Sequence, residues 1–231
     1  MPKSQPVELE FSRKYDRDHA LQYLHKHQDG IARRLSNWRD QQLARKALER
    51  AGDPEVVLDL PCGAGRFWPL LAEREDRRIL AADNSAEMIA TARQAQSPEI
   101  VSRVRTFQTS AFEIDLDDQT VDCVFCMRLL HHVADPAHRL AMLREFHRVS
   151  RDTLIVSLWV DGNVKAWRRR RLEERRQQQL GGQANQNRFI IARETIEAEF
   201  RQAGFAILGH QDFLPGYAMW RVYTLRKQAA A

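Results

Sequence analysis

The sequence predicts an α/β domain, and three observations carry the prediction. The first is Val56-Val57-Leu58-Asp59-Leu60-Pro61-Cys62-Gly63-Ala64-Gly65-Arg66, in which apolar residues and an acid run into a Pro/Gly-rich corner. Phe67 to Ala72 follow as a short helical segment, so the stretch describes a buried strand turning sharply into a helix. The second is Ile79-Leu80-Ala81-Ala82-Asp83, another apolar run ending in an acid, 83 − 59 = 24 residues after Asp59. The third is the continued alternation of helical patterns with apolar runs, which builds strands into a sheet with helices between them. A chain of 231 residues with 43% hydrophobic content suits one such domain with a lid-like insertion.

The corner decides what it can hold. Glycines at 63 and 65 permit backbone torsions and a closeness of approach that a Cβ would forbid, so a ligand can lie against backbone N–H groups. Phosphate and the carboxylate of an amino-acid-like cofactor both suit such donors near a helix N-terminus. Asp59 argues for the second, since it would repel pyrophosphate and could position an ammonium group. No G-K-[ST] follows the corner, which excludes a phosphate-cradling nucleotide hydrolase loop. Asp83 falls where an acid meets ribose hydroxyls in dinucleotide folds. A nicotinamide oxidoreductase is disfavoured by the acid ahead of the glycines.

On these residues the chain resembles the class I S-adenosylmethionine-dependent methyltransferases, in particular the group related to ubiquinone and menaquinone biosynthesis enzymes. The family motif acid-x-Gly-x-Gly-x-Gly stands here as Asp59-Leu60-Pro61-Cys62-Gly63-Ala64-Gly65, with Pro61 in place of the first glycine. The likeness spans about residues 55–226 and is strongest at 56–66 and 121–136. It implies a Rossmann-like, doubly wound, seven-stranded sheet in order 3-2-1-4-5-7-6, with the last strand antiparallel. It implies S-adenosyl-L-methionine as cofactor and S-adenosyl-L-homocysteine as product. It also implies cofactor contacts from Asp59, Pro61, Cys62, Gly63, Gly65, Arg66, Asp83, Asn84, Met88, Ser110, Ala111, Phe112, Met127 and Arg128. Met88 would either press on adenine or pack in the core, and Ser110 stands where many relatives carry an aspartate that accepts from the adenine amino group. Serine can accept that bond only as a neutral group.

In chain order, residues 1–54 read as an arm and a helical cap, and 55–231 as the cofactor-binding domain. Two helical patterns are expected in the cap, Asp16 to His27 and Ile31 to Ala51, with Tyr15, Tyr23 and Trp38 available either to cover the pocket or to pack on the sheet. Asn84 or Ser85 caps a helix from Ala86 to Ala95, stopped by Ser97-Pro98. Strands follow at Ser102 to Gln108 and Val121 to Met127. Asp135 caps a helix whose first turn holds Pro136 and whose apolar face is Leu140, Leu143, Phe146 and Val149. Ser150-Arg151-Asp152 then forms a turn before a strand from Thr153 to Val160. Residues 161–189 are a basic insertion, a charged helix and a connector, with Arg169–Glu173 and Arg170–Glu174 at i, i+4 spacing. A helix from Glu194 ends at Gly204, and Phe205 to Phe213 pairs with Tyr217 to Arg226.

Methyl transfer from a sulfonium needs positioning, exclusion of water and, for a hydroxyl acceptor, a base. His131 and His132, in the loop after the fourth strand, are the catalytic candidates, His131 ahead of His132; a structural role is the competing reading. A metal role lacks a third ligand. No Asn-Pro-Pro-Tyr-like stretch follows that strand, which disfavours adenine amino methylation, and Pro61-Cys62 is misplaced for a cytosine C5 nucleophile. An oxygen or carbon acceptor on a small or lipid-linked molecule is therefore expected, with anionic molecules among the candidates. RNA, held by Arg168 to Arg176, and a cofactor-binding subunit without turnover are the alternatives.

The formal charge of +5 and a pI near 9.4 agree with an anionic substrate without identifying one. Cys123 and Cys126 form a C-x-x-C inside a strand, which would send the sulfurs to opposite faces, as buried hydrophobes rather than a metal or redox pair. With no apolar run long enough to span a bilayer and no apolar leader, a cytoplasmic protein is expected.

Overall fold

The computed structural model describes residues 31–180 and 187–228, with side chains over 33–175 and 187–228. The helix expected at Asp16 to His27, with Tyr15 and Tyr23, lies outside the described residues. Helix α1 (Ile31–Arg50) leads into strand β1 (Val56–Asp59), the short helix α2 (Trp68–Leu71) and β2 (Arg78–Asp83). Helices α3 (Ala86–Ala95) and α4 (Pro98–Ser102) then precede β3 (Val104–Gln108) and β4 (Val121–Cys126). A 3-10 turn at Leu130–His132 leads to α5 (Pro136–Val149) and β5 (Ser150–Trp159). The basic helix α6 (Val164–Leu180), α7 (Arg193–Gln202) and the strands β6 (Phe205–Asp212) and β7 (Trp220–Lys227) complete the chain.

The seven strands form one sheet in the order β3-β2-β1-β4-β5-β7-β6. Neighbours from β3 to β5 run parallel, and β7 runs antiparallel to both β5 and β6. Alternation along the strands divides the core between two faces. Leu58, Val124, Val156 and Tyr223 join one cluster, whereas Val57, Phe125, Ile155 and Val222 join the other. Cys126 belongs to the first and Cys123 to the second, so the C-x-x-C sulfurs do point to opposite sides of the sheet. Burial pushes the Cys123 thiol up to about 12 and raises Cys126 as well.

Caps explain several boundaries. Ser85 Oγ accepts from Met88 N at 3.2 Å, so Ser85 rather than Asn84 opens α3. Asp135 accepts from Ala137 N at 2.7 Å, with Pro136 in the first turn of α5. Ser97-Pro98 stops α3 but also starts α4, because Ser97 caps it toward Ile100 N, and β3 therefore begins at Val104 instead of Ser102. Ser150 to Asp152 is strand, not turn: Ser150 pairs with Val121 across a bulge, and this tertiary pairing overrides the polar composition. On α6, Arg169 meets Glu173 at 2.7 Å as the spacing predicts, but Arg170 pairs with Asp161 at 3.3 Å instead of Glu174. Buried Arg139 on α5 grips Glu199 on α7 through two hydrogen bonds of 2.8 and 2.5 Å, tying the two helices on that face together.

Candidate active site

The carboxyl ends of β1, β2 and β4 carry the corner and the loops around it. Leu60 N donates to Phe125 O at 3.1 Å and Cys62 N to Ala82 O at 2.8 Å, so the corner is stitched to both neighbouring strands. The Leu60–Pro61 bond is cis. Gly63 and Gly65 have φ of +53° and +71°. Their roles differ: a Cβ on Gly63 would meet only Met88 Cε at 3.7 Å, whereas one on Gly65 would lie 2.9 Å from the Trp68 ring. Gly63 leaves room above its Cα, although its N–H is taken by Asp83 Oδ2. Gly65 is glycine because a tryptophan fills the space, which corrects the expectation that both glycines face a ligand.

Asp59 is 1% exposed, and neither carboxylate oxygen has a hydrogen bond among the described residues. Burial holds its carboxyl well above the usual range; the Asp83 charge adds to this, and the Trp68 indole opposes it without closing a hydrogen bond. Asp83 is also buried and raised, mainly by desolvation, with amides of Ser85, Gly63 and Asn84 pulling it down. Its Oδ2 accepts from Gly63 N at 3.0 Å and its Oδ1 from Ser85 N at 3.1 Å. One acid therefore ties the β1 and β2 loops together. Gln108 Nε2 donates to Asn84 O at 2.8 Å, and Phe112 N to Ser110 Oγ at 3.2 Å, which orders the loops beside it. Met88, Ala111 and Met127 are buried, and burial raises the Cys62 thiol, so Cys62 is a packed hydrophobe with a thiol held protonated.

Arg66 and Arg128 converge on a residue that sequence reasoning missed. Asp40, on α1 and 1% exposed, accepts at Oδ2 from Arg66 Nη2 and from Arg128 Nη2, both at 2.7 Å. Asn37 Oδ1 receives Arg66 Nε at 2.8 Å. A helical position without a motif gives no sign of this; the only signal is an acid interrupting a run of arginines and glutamines. Trp38, expected to cover the pocket or pack on the sheet, is 56% exposed.

His131 is 4% exposed, stacked on Trp159 with centroids 5.1 Å apart and edge-on to Trp220 at 5.2 Å. Its Nδ1 has no hydrogen bond among the described residues. Burial lowers its pKa well below the usual value, and His132, Arg188, Arg128 and Arg169 push it further down. His132 is less enclosed; its Nδ1 lies 2.5 Å from Asn187 O, and burial brings its pKa to about 4. A carbonyl partner fixes the proton on Nδ1 and places the lone pair on Nε2. Arg169 and Arg188 lie over the Trp159 ring, and Arg128 over Trp220 at 5.0 Å. No group of three or more metal-binding side chains occurs among the described residues.

The residues present fit an amino-acid-bearing nucleoside: open space above Gly63, a buried acid with unused acceptors, and a second acid at the tip of the next strand. Residues 57–153 match a family model described as a methyltransferase domain. A ubiquinone biosynthesis O-methyltransferase of Serratia proteamaculans is 31% identical over 122 residues, 52% of this chain and 49% of the relative. An uncharacterized 37.1 kDa transposon protein of Streptomyces fradiae is 35% identical over 96 residues, 41% of this chain and 27% of the relative. The chain thus spans half or less of the length of these relatives. Among solved structures, a magnesium protoporphyrin IX methyltransferase from Synechocystis, with S-adenosylhomocysteine bound, superposes with a TM-score of 0.68 at 16% identity, covering 91% of this chain and 94% of that one. A [4+2]-cyclase superposes with a TM-score of 0.63 at 17% identity over 82% of this chain and 81% of its own, so the fold by itself leaves the reaction open. Residues 57–153 thus match a methyltransferase domain, and the chain is similar in its seven-stranded topology to class I S-adenosylmethionine-dependent methyltransferases, whose cofactor is S-adenosylmethionine.

Proposed function

We propose that this protein transfers a methyl group from S-adenosylmethionine to an oxygen or carbon atom of a small or lipid-linked acceptor carrying negative charge. The observation that carries the reading is the pairing of two loops at adjacent strand ends: the glycine corner after β1, with unpartnered Asp59, and the histidine loop after β4. The bound cofactor supplies an already activated methyl group. Asp59 takes the ammonium group, Asp83 the ribose hydroxyls, and Gly63, with Pro61 and Cys62, leaves backbone for close approach. Asn84, Met88, Ser110, Ala111 and Phe112 line the adenine side, and Met127 lies toward the methyl group.

The acceptor lies on the side of the histidines. His132 is the better-placed base, because the Asn187 carbonyl commits Nδ1 to carrying the proton. His131 shapes the site through its stack on Trp159. The charges of Arg128, Arg169 and Arg188 facing His131 support an anionic acceptor. The name of the Serratia relative agrees with oxygen as the acceptor atom. RNA is the second reading, favoured by exposed Trp167 with Arg171 over its ring at 4.1 Å on the outer side of α6.

Calorimetric titration with S-adenosylmethionine, S-adenosylhomocysteine and NAD in parallel tests the cofactor. Saturation by the first two alone is expected, and binding of NAD alone would refute the reading. Labelled-methyl transfer to hydroxy acids, phenolic lipids and RNA then identifies the acceptor. RNA as the sole acceptor, with affinity falling steeply in salt, would favour the second reading. With the acceptor in hand, His132→Ala should slow single turnover by about 10²-fold or more with cofactor affinity kept.

A further inference from the structure

We propose that the outer face of helix α6 is a docking surface for an anionic lipid bilayer. The first support is the pattern along the helix. Val164, Trp167, Arg168, Arg171, Leu172 and Arg175 recur at i, i+3, i+4, i+7, i+8 and i+11, which puts all six on one face about 16 Å long. All six are exposed, Trp167 and Leu172 at 54% each. Ala166, Arg169 and Glu173, on the opposite side, are buried or half-buried.

The second support is charge. The face holds three arginines and no acid, since Glu173 and Glu174 lie off it. Arg169 is engaged by Glu173 and Arg170 by Asp161, whereas Arg168, Arg171 and Arg175 meet no carboxylate among the described residues. Unbalanced positive charge is thereby concentrated on the outward side, complementary to an anionic surface. Arg171 lies over the Trp167 ring at 4.1 Å, so cation and indole are presented together, a combination suited to the boundary between headgroups and acyl chains.

The third support is the apolar surface beside the helix. The loop between β6 and β7 abuts the first turn of α6: Val164 N donates to Gly216 O at 3.1 Å and Lys165 N to Tyr217 O at 3.0 Å. That loop adds exposed Leu214 and Tyr217, with Lys165 over the tyrosine ring at 5.2 Å. The aliphatic side chains decide between lipid and nucleic acid. Val164, Leu172 and Leu214 gain by leaving water for acyl chains, whereas a nucleic acid offers bases to aromatic rings and phosphates to arginines and has nothing for these three. No helix among the described residues is long and apolar enough to cross a membrane, so the helix would lie in the plane of the interface. Docking there would bring the histidine side of the molecule to the bilayer, because Arg169 of α6 lies over Trp159, on which His131 stacks.

The test is sedimentation of the full chain with vesicles of phosphatidylcholine alone and of phosphatidylcholine with about one third phosphatidylglycerol. Wild type should bind the anionic vesicles at least about tenfold more tightly than the neutral ones, with the difference shrinking as salt rises. Arg168→Gln with Arg171→Gln and Arg175→Gln should remove that difference. Trp167→Ser with Leu172→Ser should weaken binding to the anionic vesicles by about tenfold or more. All five side chains are exposed, and an unchanged urea midpoint certifies that each variant is folded. A single-stranded oligouridylate is titrated in parallel, and Leu172→Ser alone should weaken vesicle binding while leaving oligouridylate binding unchanged. Absence of wild-type binding to the anionic vesicles overturns the proposal, as does vesicle binding that both multiple variants retain. Oligouridylate bound more tightly than the vesicles, with Leu172→Ser indifferent to both, would overturn it in favour of nucleic acid.

Discussion

A methyl group added at position 65 would press against the Trp68 ring, while the same change at 63 meets almost nothing. Both residues sit at positive φ, which costs an alanine about 1–2 kcal/mol. Gly65→Ala adds overpacking of about 1–3 kcal/mol, so urea unfolding should show it less stable than Gly63→Ala by about that amount. Gly63→Ala should instead show its main effect in cofactor titrations. His132 gives a second prediction. Its pKa is about 4 in the folded protein against an ordinary 6.5, so between these values the unfolded chain takes up a proton that the folded one refuses. The stability difference between wild type and His132→Gln should be flat above pH 6.5 and then move against wild type by about 1–3 kcal/mol as pH falls toward 4. Raised Asp59 and Asp83 act in the opposite direction, and the comparison with His132→Gln cancels them. At this scale the sequence shows acids and glycines that stand in a local pattern. It does not show Asp40, whose arginine partners lie 26 and 88 residues away and meet it only through the tertiary fold.

Elements were legible where burial and period agree. The apolar runs of β1, β2 and β4 and the capped helices α3 and α5 fall within a residue or so of their expected ends. The start of β5 was not legible, because Ser150-Arg151-Asp152 has the composition of a turn and becomes strand only by pairing with Val121. The link between α5 and α7 was equally hidden. Arg139 there also donates to the carbonyls of Val133 and Ala134, so one guanidinium braces α7 and the end of the histidine loop. Glu199→Ala should cost about 3–5 kcal/mol in chemical denaturation by stranding that cation. Replacing both partners, Arg139→Met with Glu199→Leu, should recover most of the loss; a double variant no better than the single one would show that the carbonyl contacts dominate.

For the whole molecule, the strand order was readable only through the resemblance, since neither composition nor period says that the last strand enters between β5 and β6. The cysteines report on integrity at this scale. Cys123 and Cys126 are 0% exposed and Cys62 is 5% exposed. With a thiol-reactive chromophore, Cys62 should label first and be slowed by S-adenosylhomocysteine, while the other two label together at the rate of global unfolding. Early labelling of Cys126 would show that the sheet opens locally at the histidine loop. The placement of β7 has a consequence for how the chain is made. Among the described residues β6 has β7 as its only neighbour in the sheet, yet β7 comes later in the chain. As synthesis proceeds, Phe205–Asp212 must therefore wait as an unpaired edge until Trp220–Lys227 has emerged, and the two join the growing sheet as a preformed hairpin. A chaperone that shields exposed strand edges would be most useful to this protein during that interval.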